Sequence, residues 1–158
     1  MSIQLNIGDH ISSEPDFIAI PRELRGQAQW ARTKAKWIAR TIASAAVYFR
    51  SLSGGRSLTD LLNDRSIWVN YHASSDDFGY TDAVGGSEIA ITTRSFRIGR
   101  WTVLATLVHE LAHVNGASGD GGSQDAERAV LECGLGRRSE LRSGVDDPWT
   151  PYDPTIGG

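Results

Sequence analysis

Residues 106–116 read TLVHELAHVNG and hold two of the chain's four histidines, four residues apart, with Glu110 directly behind the first. Leu104, Leu107, Val108 and Leu111 recur at helical spacing around them, so a helix is expected to begin just after "RSFRIG". At about 100° per residue, His109 and His113 project about 40° apart, and their imidazoles can meet one ion. Thr102, Ala105 and Thr106 are small, lie near the histidines and leave room for a cleft. Glu110, one position on, stands beside the ion rather than on it, where a carboxylate can take a proton from water. Two neutral imidazoles suit zinc, which needs a further protein ligand and keeps one position open.

The search for that ligand leads downstream. "GASGDGGS" breaks the helix, Ser123 reads as the N-cap of a second helix, QDAERAVLEC, and Gly134 closes it. Asp125, Arg128 and Glu132 share a face that can stay in water, with Arg128 and Glu132 paired at four-residue spacing. Glu127 falls instead among Ala126, Val130 and Leu131, where a carboxylate is costly without a cation. His109, His113 and Glu127 are therefore the expected zinc ligands; a salt bridge from Glu127 to an arginine, or a place at the edge of the buried face, is the alternative. Cys133 follows Ala126 and Val130 and reads as a small buried residue.

At these residues the chain resembles the zincin metallopeptidases, and within them the gluzincins, in which HExxH on one helix is completed by a glutamate on the next. The resemblance spans roughly residues 87–134. Together with the chain's length and its periodicities, the resemblance implies an α+β fold: a single zincin-like domain over 1–158 with a small mixed or antiparallel sheet, a long N-terminal helix read from the spacing of its apolar residues, an HExxH helix and a glutamate-bearing helix. It also implies zinc as cofactor and hydrolysis of a peptide bond, with Glu110 as general base. The metzincin pattern is met through Gly116, but position 119 is glycine and the sole methionine is Met1. The combination "HELAHVNGASG…DAERAVLECGLG" is also similar to small metallopeptidase domains of bacterial secreted effectors and polymorphic toxins. That likeness implies export by a dedicated secretion system, an immunity protein or secretion apparatus as partner, and a peptide, protein or peptidoglycan substrate.

Outward from the motif, "SEIAITT" reads as the edge strand along which an extended substrate would lie, with Ser87, Glu88, Ile89, Ala90 and Ile91 as its contact residues. "SIWVNYH" is a second strand, with Ile67, Val69 and Tyr71 on one face and Trp68, Asn70 and His72 on the other. Tyr71, His72 and Tyr152 are the candidates for stabilising an oxyanion. The organisation expected is strand and helix over 1–50, sheet over 66–93, active-site helices over 99–134 and an extended tail over 143–158.

The stripe Ala31, Ala35, Ile38, Ile42, Ala45 and Phe49 predicts one long buried helix after Pro21. Its other side carries Arg32, Lys36 and Arg40 at four-residue spacing, which makes the basic helix over 22–50 a candidate for nucleic acid or an anionic membrane. The net charge of −3 argues against a nucleic-acid partner. One cysteine excludes a disulfide framework, and neither a signal peptide nor a membrane span is evident, so synthesis in the cytoplasm is expected. A zinc-stabilised binding protein without catalysis remains the alternative to a peptidase.

Overall fold

Strand β2 (Trp68–His72) runs parallel to β1 (Gln4–Leu5) on one side and to β4 (Glu88–Thr92) on the other. β3 (Gly79–Thr81) closes the sheet antiparallel to β4, giving the order β1-β2-β4-β3. The computed structural model describes residues 1–120, 122–136 and 145–149. Its helices are α1 (Arg25–Thr41), α2 (Ala43–Ser51), α3 (Leu58–Leu62), α4 (Thr93–Ile98), α5 (Arg100–Val114) and α6 (Asp125–Glu132). The fold is α+β with a mixed sheet and one contiguous core.

Register assigns the faces. Leu5, Val69, Ile89 and Ile91 lie in rows with Gly79 and Thr81, the row that meets α5. Asn6, Trp68, Asn70 and His72 take the opposite face, as alternation requires. That polar face is satisfied locally. Asn6 donates to Asn70 Oδ1 at 2.8 Å, Asn70 donates to the Ile89 carbonyl at 3.0 Å, and His10 stacks on Trp68 while bonding Glu88 at 2.7 Å.

Three expectations change. First, β4 is not the sheet edge: it is paired on both sides, and Ser87 already accepts from the Trp68 amide, so Ser87–Ile91 offers no free edge. β3, hidden within a stretch that reads as loop, takes that place. Second, the long helix is two. Ile42 is extended (φ −107°, ψ 101°), and Thr41 bonds back to the Trp37 carbonyl at 2.8 Å, a competitor for the helical ladder. The predicted stripe nevertheless points inward, because the bend keeps Ala45 and Phe49 in the core with Ala31 and Ala35. Third, the strand read from the alternation of Ile3, Leu5 and Ile7 in the N-terminal stretch stops after two residues as β1, and Ile7 is half exposed.

Most of the basic side of α1 is occupied, Arg40 alone of the three predicted residues being exposed. Arg32 donates to the Ile3 carbonyl at 3.0 Å, Arg25 to the carbonyls of Ile20 and Ile7, and Lys36 to the Met1 carbonyl and the Ser2 hydroxyl. These cations fasten the N-terminal strand and cap edge carbonyls that could otherwise recruit another strand.

α5 packs against α1, α4, α6, β3 and β4. From Thr102 to Asn115 every residue is buried, so it is a central helix rather than an amphipathic one lining an open cleft. Its first turn receives Asp146, whose Oδ1 accepts from the amides of Trp101 and Thr102, a carboxylate on the positive end of the helix. Its last turn closes with a left-handed Gly116 (φ 95°), with Ala117 N–H bonding the Ala112 carbonyl and Gly116 N–H the His113 carbonyl.

Candidate metal centre

The Nε2 atoms of His109 and His113 stand 3.2 Å apart. Two nitrogens bound to one tetrahedral ion at about 2.0–2.1 Å would be about 3.3 Å from each other, so the spacing matches joint ligation. The ligand atoms of His109, Glu110 and His113 all lie within 4.8 Å of one another.

The tautomer of His113 follows from its surroundings. Its Nδ1 is 3.0 Å from the Ala117 carbonyl, which can only accept, so Nδ1 carries the proton and Nε2 presents a lone pair to the centre. The turn at Gly116 brings that carbonyl back under the ring. A Cβ on Gly116 would run into Ser53 Oγ, so both the backbone angle and the space demand glycine.

Glu110 is 1% exposed. Its Oε2 accepts a 2.6 Å hydrogen bond from Thr81 Oγ1, while Oε1 is buried without a hydrogen-bond partner, 4.0 Å from His109 Nε2. Burial pushes its carboxyl up to about 8; the Thr81 bond acts the other way, and the charges of Glu127 and Asp77 add to the rise. A buried carboxyl with one oxygen unbonded, beside two imidazole nitrogens, is the environment a divalent cation relieves. The group could thus hold a divalent metal ion.

β3 is built around this carboxylate. Gly79 has no room for a side chain: a Cβ would come within 2.5 Å of Thr106 Cγ2 and 3.2 Å of Glu110 Cγ. Thr106 is held by Ser95 at 3.1 Å, and Ser95 Oγ also donates to the Phe78 carbonyl. The loop after β3 reaches the histidine end of α5, with Gly85 N–H on the His113 carbonyl at 2.9 Å.

Glu127 lies half-buried in the first turn of α6, which packs on α5. Its charge reaches Glu110, while its carboxylate stands outside the compact group of His109, Glu110 and His113. The other acids of α6 behave as their spacing predicts: Arg128 pairs with Glu132 at 3.5 Å, and Ala126, Ala129, Val130 and Cys133 are buried. Ser123 is not the N-cap, a position held by Gln124, although its hydroxyl accepts from Asp125 N–H.

The oxyanion candidates are not gathered here. His72 is on the face of the sheet away from Gly79 and Thr81, with its Nδ1 accepting from the Ser74 amide. The Tyr71 hydroxyl is bonded to Thr93, two strands from β3. Tyr152 lies outside the described residues.

Three contributors escape sequence reading: Thr81, Gly79 and the Ala117 carbonyl. Only "GYT" within residues 73–86 hints at the first two, as a three-residue strand too short to show alternation. Comparison with protein-family models, curated proteins and solved structures finds no match to this chain.

Proposed function

We propose that the chain is a zinc-dependent peptidase, with His109, His113 and Glu127 holding the metal and Glu110 as general base. The observation that carries this reading is the pairing of two facing imidazole nitrogens, 3.2 Å apart, with a carboxylate anchored beside them through one oxygen only. Bound there, zinc would polarise the scissile carbonyl and lower the pKa of a water molecule. Glu110 would take the proton of the attacking water on Oε1 and hand it to the leaving amine, while Thr81 keeps Oε2 in place. Glu127 would reach the metal by a change of side-chain rotamer from the adjoining helix.

An extended peptide suits the outer edge of β3. Tyr80 is the hydrogen-bonded partner of Ala90, so alternation turns the backbone groups of Gly79 and Thr81 away from β4, beside Glu110. The resemblance of its HELAH…DAERAVLEC motif to effector peptidases favours a protein or peptidoglycan peptide met after export.

A structural zinc site is the second reading, favoured by the near-complete burial of His109 and His113 at 1% and 8% exposure. One experiment separates the two. Metal content by elemental mass spectrometry and hydrolysis of casein and peptidoglycan peptides would be measured for wild type and Glu110→Gln. A peptidase keeps about one zinc in both proteins and loses turnover in the variant. A structural site keeps zinc in both, shows no hydrolysis in either, and unfolds on chelation.

A further inference from the structure

α1 carries five basic residues and no acid, in a chain of net charge −3. On a helical wheel with Trp30 at zero, Ala28, Ala31, Ala35 and Ile38 fall between about 80° and 160°, the core side. Arg25, Arg32 and Lys36 fall between about 200° and 240°, the side that fastens the N-terminal strand. Trp30, Lys34 and Trp37 form a separate stripe within about 40° of zero, and it is joined by Arg100 and Trp101 from the start of α5.

This stripe interleaves indoles and cations. Trp30 and Trp101 meet edge to face at 4.9 Å; Lys34 Nζ lies 4.0 Å over the Trp37 ring and 5.8 Å from that of Trp101; the Arg100 guanidinium is 4.4 Å over Trp30. Neither Lys34 nor Arg100 has a carboxylate partner among the described residues. Trp37 is 45% exposed. Exposed indole beside unpaired cations matches the chemistry of a lipid headgroup layer, where the ring sits between hydrocarbon and water and the cation meets phosphate.

We infer that the Trp30–Lys34–Trp37 stripe with Arg100 and Trp101 docks on an anionic phospholipid surface. Single-stranded nucleic acid fits less well, because binding it by stacking needs open ring faces, and a cation already lies over one face of Trp30 and one of Trp37. No helix among the described residues is long and apolar enough to cross a membrane, so this contact is peripheral. It is independent of the metal centre, and it uses the flank of α1 that the N-terminal strand leaves free.

The test is co-sedimentation of the full chain with phosphatidylcholine vesicles, either alone or with about a third phosphatidylglycerol, at low and high salt, alongside a single-stranded oligonucleotide. Binding to the anionic vesicles alone, released by salt, is expected, with a blue shift of tryptophan emission. Each basic side chain near such a surface contributes roughly a fivefold factor, so Lys34→Glu should weaken binding by at least about fivefold. Trp37→Ala should weaken it as well, whereas Arg128→Glu, on α6, should have a much smaller effect. Circular dichroism would verify that each variant is folded. Absence of vesicle binding, equal binding to neutral vesicles, indifference to Lys34→Glu, or binding to the oligonucleotide alone would overturn the inference.

Discussion

Thr81 Oγ1 donates to Glu110 Oε2 at 2.6 Å, tying the short edge strand to the carboxylate that follows the first histidine of α5. The bond holds one oxygen of a buried carboxylate and leaves the other directed toward the imidazoles. Thr81→Val, nearly the same shape, should leave zinc content unchanged and lower kcat by about tenfold or more, a fraction of what a general base contributes. Thr81→Ser should restore most of the rate. Equal kcat in wild type and Thr81→Val would remove Thr81 from the mechanism.

Gly79 brings the backbone of β3 close against α5. Gly79→Ala sets a methyl group against Thr106 Cγ2 and Glu110 Cγ in a packed interior, which should cost about 1–3 kcal/mol. Urea denaturation would show the midpoint falling with an unchanged slope.

His113 depends on a backbone carbonyl for its tautomer, and that carbonyl depends on Gly116. Gly116→Ala should therefore weaken zinc binding by about ten- to a hundredfold, the range observed when the outer partner of a ligating histidine is lost. His113→Ala should abolish tight binding. Competition with a chromogenic chelator measures both; full affinity in Gly116→Ala would show that the ring needs no such support.

Burial pushes the Cys133 thiol up to about 12, with the Glu132 charge adding to the shift. The folded protein should resist iodoacetamide at pH 8.5 and react fully in denaturant, as mass spectrometry would register. The sign is that of a thiol disfavoured as thiolate: its contribution to stability is complete below the unfolded pKa of about 8.5 and is lost as pH rises toward 12. Stability should fall less steeply over that alkaline range in Cys133→Ala than in the parent, since Tyr48 and Tyr80, also raised, contribute equally to both; parallel profiles would remove Cys133.

Much of the helical layer is legible along the chain. The alanine-rich stripe of α1, the apolar positions of α5 and the two faces of α6 are written in local periodicity, and each points where its spacing requires. The strands are less so. β2 alternates in sequence, with Val69 on the face toward α5 and Asn70 on the other, where it is buried with Asn6, but its two neighbours in the sheet lie far from it in sequence. Nothing local in "SEIAITT" marks it as flanked on both sides, and nothing in "GYT" marks an edge strand. The break at Ile42 is equally silent, because the apolar period continues through it.

The placement of His109, Glu110 and His113 on one helical turn comes from spacing alone, since 3.6 residues per turn leaves little choice. What surrounds them was decided by the tertiary structure. Thr81 arrives from a strand whose register is set by pairing with β4, and Ala117 from a turn that depends on the free space beside Ser53, while Glu127 stays outside the compact group on a helix whose distance to α5 depends on packing. Non-local contacts follow from which buried surfaces fit together, and no window of sequence contains both partners.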